Sequence, residues 1–90
     1  MPNLKRVVLD VLKPHHPNVL EMSAVIAALG ADYEVFVDVA EVDEKTETVV
    51  VDIQGNQLDF DQIENAIREL GGAVHSIDKV FMSGDNATES

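Results

Sequence analysis

Apolar residues recur along this chain first with a period of two and then with steps of three and four, and this alternation marks out six elements. Residues 4–13 read LKRVVLDVLK, in which Val7, Leu9 and Val11 alternate with Arg6, Val8, Asp10 and Leu12. A period of two with β-branched content predicts a strand. The nearly unbroken apolar run predicts a central strand covered on both faces. Pro14 and Pro17 end it and enclose a loop holding His15 and His16. Asn18 is placed to cap a helix, with Glu21 as its capping-box partner. Val19, Met22, Ile26 and Leu29 then follow at helical spacing, which predicts a helix over residues 19–29. Gly30 stands where a left-handed terminating residue is expected.

Alternation returns in residues 33–42 and 46–54, two strands joined by a tight turn at Asp43, Glu44 and Lys45. Asp59 with Gln62 forms a second capping box, and Leu58 with Ile63 a hydrophobic staple. Phe60, Ile63, Ile67 and Leu70 make the stripe of the second helix, with Glu64 and Arg68 spaced as a surface pair. Gly71 and Gly72 stop that helix, and residues 73–82 form the last strand. The expected organisation is one domain over residues 1–82 and a flexible acidic tail over residues 83–90.

The two halves repeat: Val7-Val8-Leu9-Asp10-Val11 is echoed by Val49-Val50-Val51-Asp52-Ile53. Two interleaved split β-α-β units make the ferredoxin-like fold. The fold class is therefore α+β, a β-α-β-β-α-β two-layer sandwich, and right-handed crossovers require an antiparallel sheet of order 4-1-3-2. Both helices cover one face. Strand parity then assigns Arg6, Val8, Asp10, Leu12, Phe36, Asp38, Ala40, Thr48, Val50, Asp52 and Gln54 to the open face. Apolar residues among carboxylates there mark a candidate subunit interface. Asp10 and Asp52 occupy matching points of adjacent strands, and two carboxylates so placed need Arg6, water or a cation to compensate them.

Charge narrows the partners. Seventeen acidic residues against six basic ones give a net charge of −11. A polyanion partner needs a basic patch, so nucleic acid is not expected. With four aromatic residues (three Phe, one Tyr) and no Trp, a base-stacking surface is not expected either. The acid reads as a solvated surface of the kind salt-adapted, halophilic proteins carry, or in part as cation ligands. The absence of cysteine excludes disulfides, thiolate metal sites and a cysteine nucleophile. No apolar stretch has the length of a membrane span, and residues 1–13 lack the pattern of a signal peptide. A cytoplasmic protein is expected. The sequon Asn86-Ala87-Thr88 is read as a chance match.

Three stretches carry a resemblance: Val8-Leu9-Asp10-Val11-Leu12-Lys13-Pro14-His15, the hairpin from Glu41-Val42-Asp43 to Thr46-Glu47, and Gly71-Gly72-Ala73-Val74-His75-Ser76-Ile77-Asp78. Together they resemble an archaeal family known as domain of unknown function 211, over residues 4–80. The resemblance implies a ferredoxin-like fold, closed homo-oligomers and divalent-metal sites, and no known reaction. The matching polar positions are Asp10, His15, Glu41, Asp43, His75, Ser76 and Asp78. Asp38 and Asp52 fall outside the pattern, and His16 stands where the family more often has an acid.

The chemistry expected of these residues is binding rather than catalysis. His75, Ser76 and Asp78 lie on one strand, where His75 points away from the other two, so they make no triad without a bulge. No nucleophile elbow, phosphate loop or metalloprotease motif occurs. His15 and His16 are adjacent, so a metal at either needs ligands from elsewhere. Glu41, Asp43, Glu44 and Glu47 surround a hairpin tip and read as solvated, or as calcium ligands if another subunit completes the shell. The candidate metal ligands are thus Asp10, His15, Glu41, Asp43, His75 and Asp78, with calcium or magnesium as the ion. The expected molecule is a homo-oligomeric, non-enzymatic binding or structural domain. The alternative is a small-molecule-sensing regulatory domain, and third comes a small enzyme using His75 with Asp10 or Asp78.

Overall fold

The computed structural model describes residues 2–84. The sequon at Asn86 lies outside the described residues, as does the expected tail from residue 85 onward. The elements run β1 (Asn3–Pro14), α1 (Val19–Ala27), β2 (Glu34–Val42), β3 (Thr46–Gln54), α2 (Phe60–Glu69) and β4 (Ala73–Ser83). The strands form one antiparallel sheet in the order β2-β3-β1-β4, the ferredoxin-like arrangement. Val7, Leu9 and Val11 of β1 and Val49, Val51 and Ile53 of β3 pack beneath Met22 and Ile26 of α1 and Ile63 and Ile67 of α2, all at most 1% exposed. Strand β1 is central, as its apolar run predicts, yet only one of its faces is covered. On the other, Val8 is half-buried and Leu12 is 43% exposed.

Helix α1 opens on the expected box. Asn18 Oδ1 accepts from the Glu21 N–H at 2.9 Å, and Glu21 Oε1 accepts from the Asn18 N–H at 2.9 Å. In α2 only half of the box forms. Asp59 Oδ1 accepts from the Gln62 N–H at 3.1 Å, but the Asp59 N–H donates to the Tyr33 hydroxyl at 2.9 Å, leaving nothing for Gln62 to accept from. Arg68 turns to Asn65 Oδ1 at 3.0 Å instead of forming the expected pair with Glu64.

The glycines also divide differently from the expectation. Among the described residues the left-handed glycine is Gly71, at φ +87°, and Gly30 is not left-handed. Gly71 N–H donates to the Arg68 carbonyl at 3.0 Å and Gly72 N–H to the Ile67 carbonyl at 2.9 Å, the paired bonds of a Schellman ending. Helix α1 ends two residues earlier than its spacing suggests, at Ala27. Gly30 is small for a different reason: a Cβ there would lie 2.5 Å from Cδ1 and Cε1 of Tyr33. Gly30→Ala therefore pushes the Tyr33 ring off its seat and removes the acceptor for the Asp59 N–H. The expected loss is about 1–2 kcal/mol, from one strained contact and one broken capping interaction. A urea titration with unchanged slope checks it, and a midpoint equal to wild type would refute it.

Candidate functional site

The sheet register turns the open face into a grid. Reading from β2 through β3 and β1 to β4, one row is Glu34, Gln54, Arg6 and Phe81, and the next is Phe36, Asp52, Val8 and Lys79. The third row is Asp38, Val50, Asp10 and Ser76, and the fourth is Glu41, Thr48, Leu12 and Ala73. A bulge in β2 between Val39 and Glu41 brings Glu41, not Ala40, onto the open face opposite Thr48. Asp10 and Asp52 are not level with each other: Asp10 pairs with Val50 and Ser76, while Asp52 pairs with Val8 and Phe36. Asp52 is compensated by Arg6, whose Nε and Nη2 donate to its two oxygens at 3.0 and 2.7 Å. That fork holds the Asp52 carboxyl below the usual carboxylate range, against some opposing desolvation.

The expected metal ligands are scattered. Asp10 is half-buried at the centre of the open face, and Glu41 and Asp43 are exposed near the hairpin. His75 and Asp78 coincide with two of the three places where the β1–β4 pairing shifts register, between Asp10 and Val11 and between Val8 and Leu9. Ser76, opposite Asp10, donates through Oγ to Asp78 Oδ1 at 2.8 Å. Among the described residues no group of three or more His, Asp or Glu side chains gathers into a place a metal ion could fill.

His15 is engaged in another way. Its Nδ1 lies 3.0 Å from Glu47 Oε1, and its Nε2 lies 2.9 Å from the Asp43 carbonyl and 3.1 Å from that of Glu44. All three partners are acceptors, so the ring satisfies them together only when both nitrogens carry protons. These contacts raise the His15 pKa above its ordinary value, the Glu47 bond contributing most. Glu47 also accepts from Lys13 Nζ at 3.0 Å, and Lys13 donates as well to the Pro14 carbonyl at 2.7 Å. The two donors hold the Glu47 carboxyl below its ordinary value, His15 first and Lys13 second. The Lys13 side chain is 2% exposed and that of Glu47 13%.

Glu47 is thus no solvated tip residue. Lys13 was no site candidate in the sequence and Glu47 only one of four hairpin acids, although a signal for the pair was present. Lys13 continues the inward phase of Val7, Leu9 and Val11, and Glu47 continues that of Val49, Val51 and Ile53. The two are direct cross-strand partners. Opposite charges at inward positions of paired strands form a pair on the core side.

At the opposite end of the open face, Lys5, Arg6, Glu34, Gln54 and Phe81, together with Asp32 and the Gly55 and Asn56 turn, border an open trough of about 510 Å³. It offers both charge signs beside one aromatic wall. No helix among the described residues is long and apolar enough to cross a membrane.

A family model for DUF211, described as Uncharacterized ArCR, matches residues 5–90. The uncharacterized protein MJ0319 of Methanocaldococcus jannaschii is 46% identical over 80 residues, covering 89% of this chain and 82% of that protein.

Proposed function

We propose, from the premise that this chain belongs to the DUF211 family, that it is a non-catalytic domain that assembles with copies of itself through the open face of its sheet. One observation carries this reading. Strand β1 has the composition of a strand covered on both sides, and the single chain covers one. Val8 and Val50 occupy the middle of the uncovered face, with Leu12, Phe36 and Phe81 around them at 43%, 51% and 56% exposure. Apolar side chains interleaved with charged ones across an uncovered sheet face have the mixed make-up of an interaction surface. The Arg6–Asp52 fork pairs one charge of each sign on that face, so that neither has to be buried without a partner. A domain of this length buries only about 60–65% of its unfolded surface, so association adds a needed share of stability.

Native mass spectrometry of chelator-treated protein tests this. A discrete oligomer is expected at low micromolar concentration, and Phe36→Asp combined with Leu12→Asp should shift it to monomer with the fold intact by circular dichroism. A wild-type monomer at every concentration would refute the reading. Because each copy carries a net charge of −11, assembly should tighten as salt screens the repulsion. Repeating the spectra with calcium, magnesium and zinc decides the cation question. Carboxylates such as Asp10 and Asp78, drawn from more than one subunit, would take up one ion type in fixed number.

The trough beside Arg6 favours a second reading, a small-molecule-sensing domain, since its size falls within the range of ligand pockets. A metabolite-dependent rise in melting temperature that is lost in Arg6→Ala would favour it over self-assembly alone.

A further inference from the structure

We infer that His15 is a proton-operated clasp that ties the β2–β3 hairpin tip to the loop after β1. The geometry assigns each contact a side. From β3, Glu47 presents Oε1 to Nδ1 of the ring. From the hairpin, Asp43 and Glu44 present backbone carbonyls to Nε2. From β1, Lys13 shares Glu47 through the other carboxylate oxygen. Exposed charges on the neighbouring segments are the side chains of Asp43, Glu44 and Lys45, with His16 next along the chain. A neutral imidazole has one N–H and one lone pair. Losing either proton therefore turns one side of the clasp from attraction into two opposed lone pairs, at Glu47 or at the hairpin carbonyls.

The hairpin has few other ties to that loop. Within it, the Asp43 N–H donates to the Thr46 carbonyl at 2.8 Å, a bond internal to the turn. Residues 41–45 are all exposed. Releasing His15 thus loosens the tip at residues 43–45, while the β2–β3 ladder from Val42 and Glu47 inward and the core stay in place. The device is independent of self-assembly, because every group in it belongs to one chain.

The direction in pH follows from the two shifts. His15 is raised above 6.5, so its contribution is complete below about pH 6.5 and is lost as pH rises through the raised value. Glu47 is lowered below 4.5, so its contribution is complete above about pH 4.5 and is lost as pH falls through the lowered value. The clasp is fully closed between those limits and opens on the alkaline side by His15 alone.

Nuclear magnetic resonance on the full chain tests this. The His15 ring protons should titrate at a midpoint above the ordinary imidazole value, and the amides of Glu44, Lys45 and Thr46 should shift and exchange faster with that same midpoint. Glu47→Gln, which keeps the shape and removes the charge, should lower the His15 midpoint. Hairpin amides indifferent to His15 titration, or a His15 midpoint at or below the ordinary imidazole value, would overturn the clasp. The wild-type titration suffices alone if the variant does not fold.

Discussion

Leu9→Ala should cost about 3–4 kcal/mol, the largest single loss expected from this chain. Leu9 is fully buried and sits in the middle of β1, level with Val51 on one side and Ile77 on the other, beneath both helices. Removing its isobutyl group forfeits the transfer energy of the lost carbons and leaves a void that rigid neighbours cannot fill. A domain of ninety residues has roughly 5–13 kcal/mol in total, so the variant stays folded but with only about 1–2 kcal/mol to spare at the lower end of that range. Denaturant unfolding should show a lowered midpoint with an unchanged slope. The informative comparison is Leu12→Ala, three residues along on the uncovered face. In an isolated chain a side chain 43% exposed should cost well under the Leu9 value. Should the two losses be alike in the assembled protein, and diverge on dilution, Leu12 is packed in a core that two chains share.

The order and type of the elements were legible because the apolar period is regular in each and turn chemistry separates them. What escaped was decided by side chains meeting across the fold. Gly30 and Gly71 look equally suited to end a helix. Only the Tyr33 ring, arriving from the start of the next strand, distinguishes a glycine needed for space from one needed for backbone sign. The same tyrosine takes the Asp59 N–H and so dismantles half of a capping box that local spacing supports. The bulge at Ala40 moves Glu41 to the open face, which no period of two can announce. Each case is a long-range contact overriding a local preference.

The candidate site shows the same division more sharply. His15 was conspicuous as a histidine in a Pro-bounded loop, and metal chemistry was the natural expectation for it. Its actual partners, Glu47 and the Asp43 and Glu44 carbonyls, come from thirty residues away and suit a cation that the ring itself supplies. Asp52 was conspicuous as an inter-strand carboxylate, and Arg6 answers it from the adjacent strand. At Asp52 the place where the sequence suggested a bound cation is thus taken by the Arg6 guanidinium, and at His15 the ring contacts chain acceptors in place of a metal.

Glu47→Leu should cost about 2–3 kcal/mol, because it strands the Lys13 ammonium. Lys13 has three N–H groups and 2% exposure, and without Glu47 it keeps only the Pro14 carbonyl at 2.7 Å. Breaking a buried pair from one side is worth about 3–5 kcal/mol in general; the lower figure here allows for solvent reaching the carboxylate, since Glu47 is 13% exposed at the sheet end. Lys13→Met alone should cost less, because Glu47 retains His15 and the methionine fills the space of the lysine stem. The double variant Lys13→Met with Glu47→Leu should recover most of the loss, since an apolar pair of similar volume needs no partner. The cycle therefore has a sign as well as a size: the two changes together must be milder than Glu47→Leu alone. If Glu47→Leu costs under about 0.5 kcal/mol, Lys13 finds water on its own and the pair is a surface contact. If the double variant is the worst of the three, the stability resides in the Lys13–Glu47–His15 chain as a unit, and the hairpin tip should loosen in that variant at every pH.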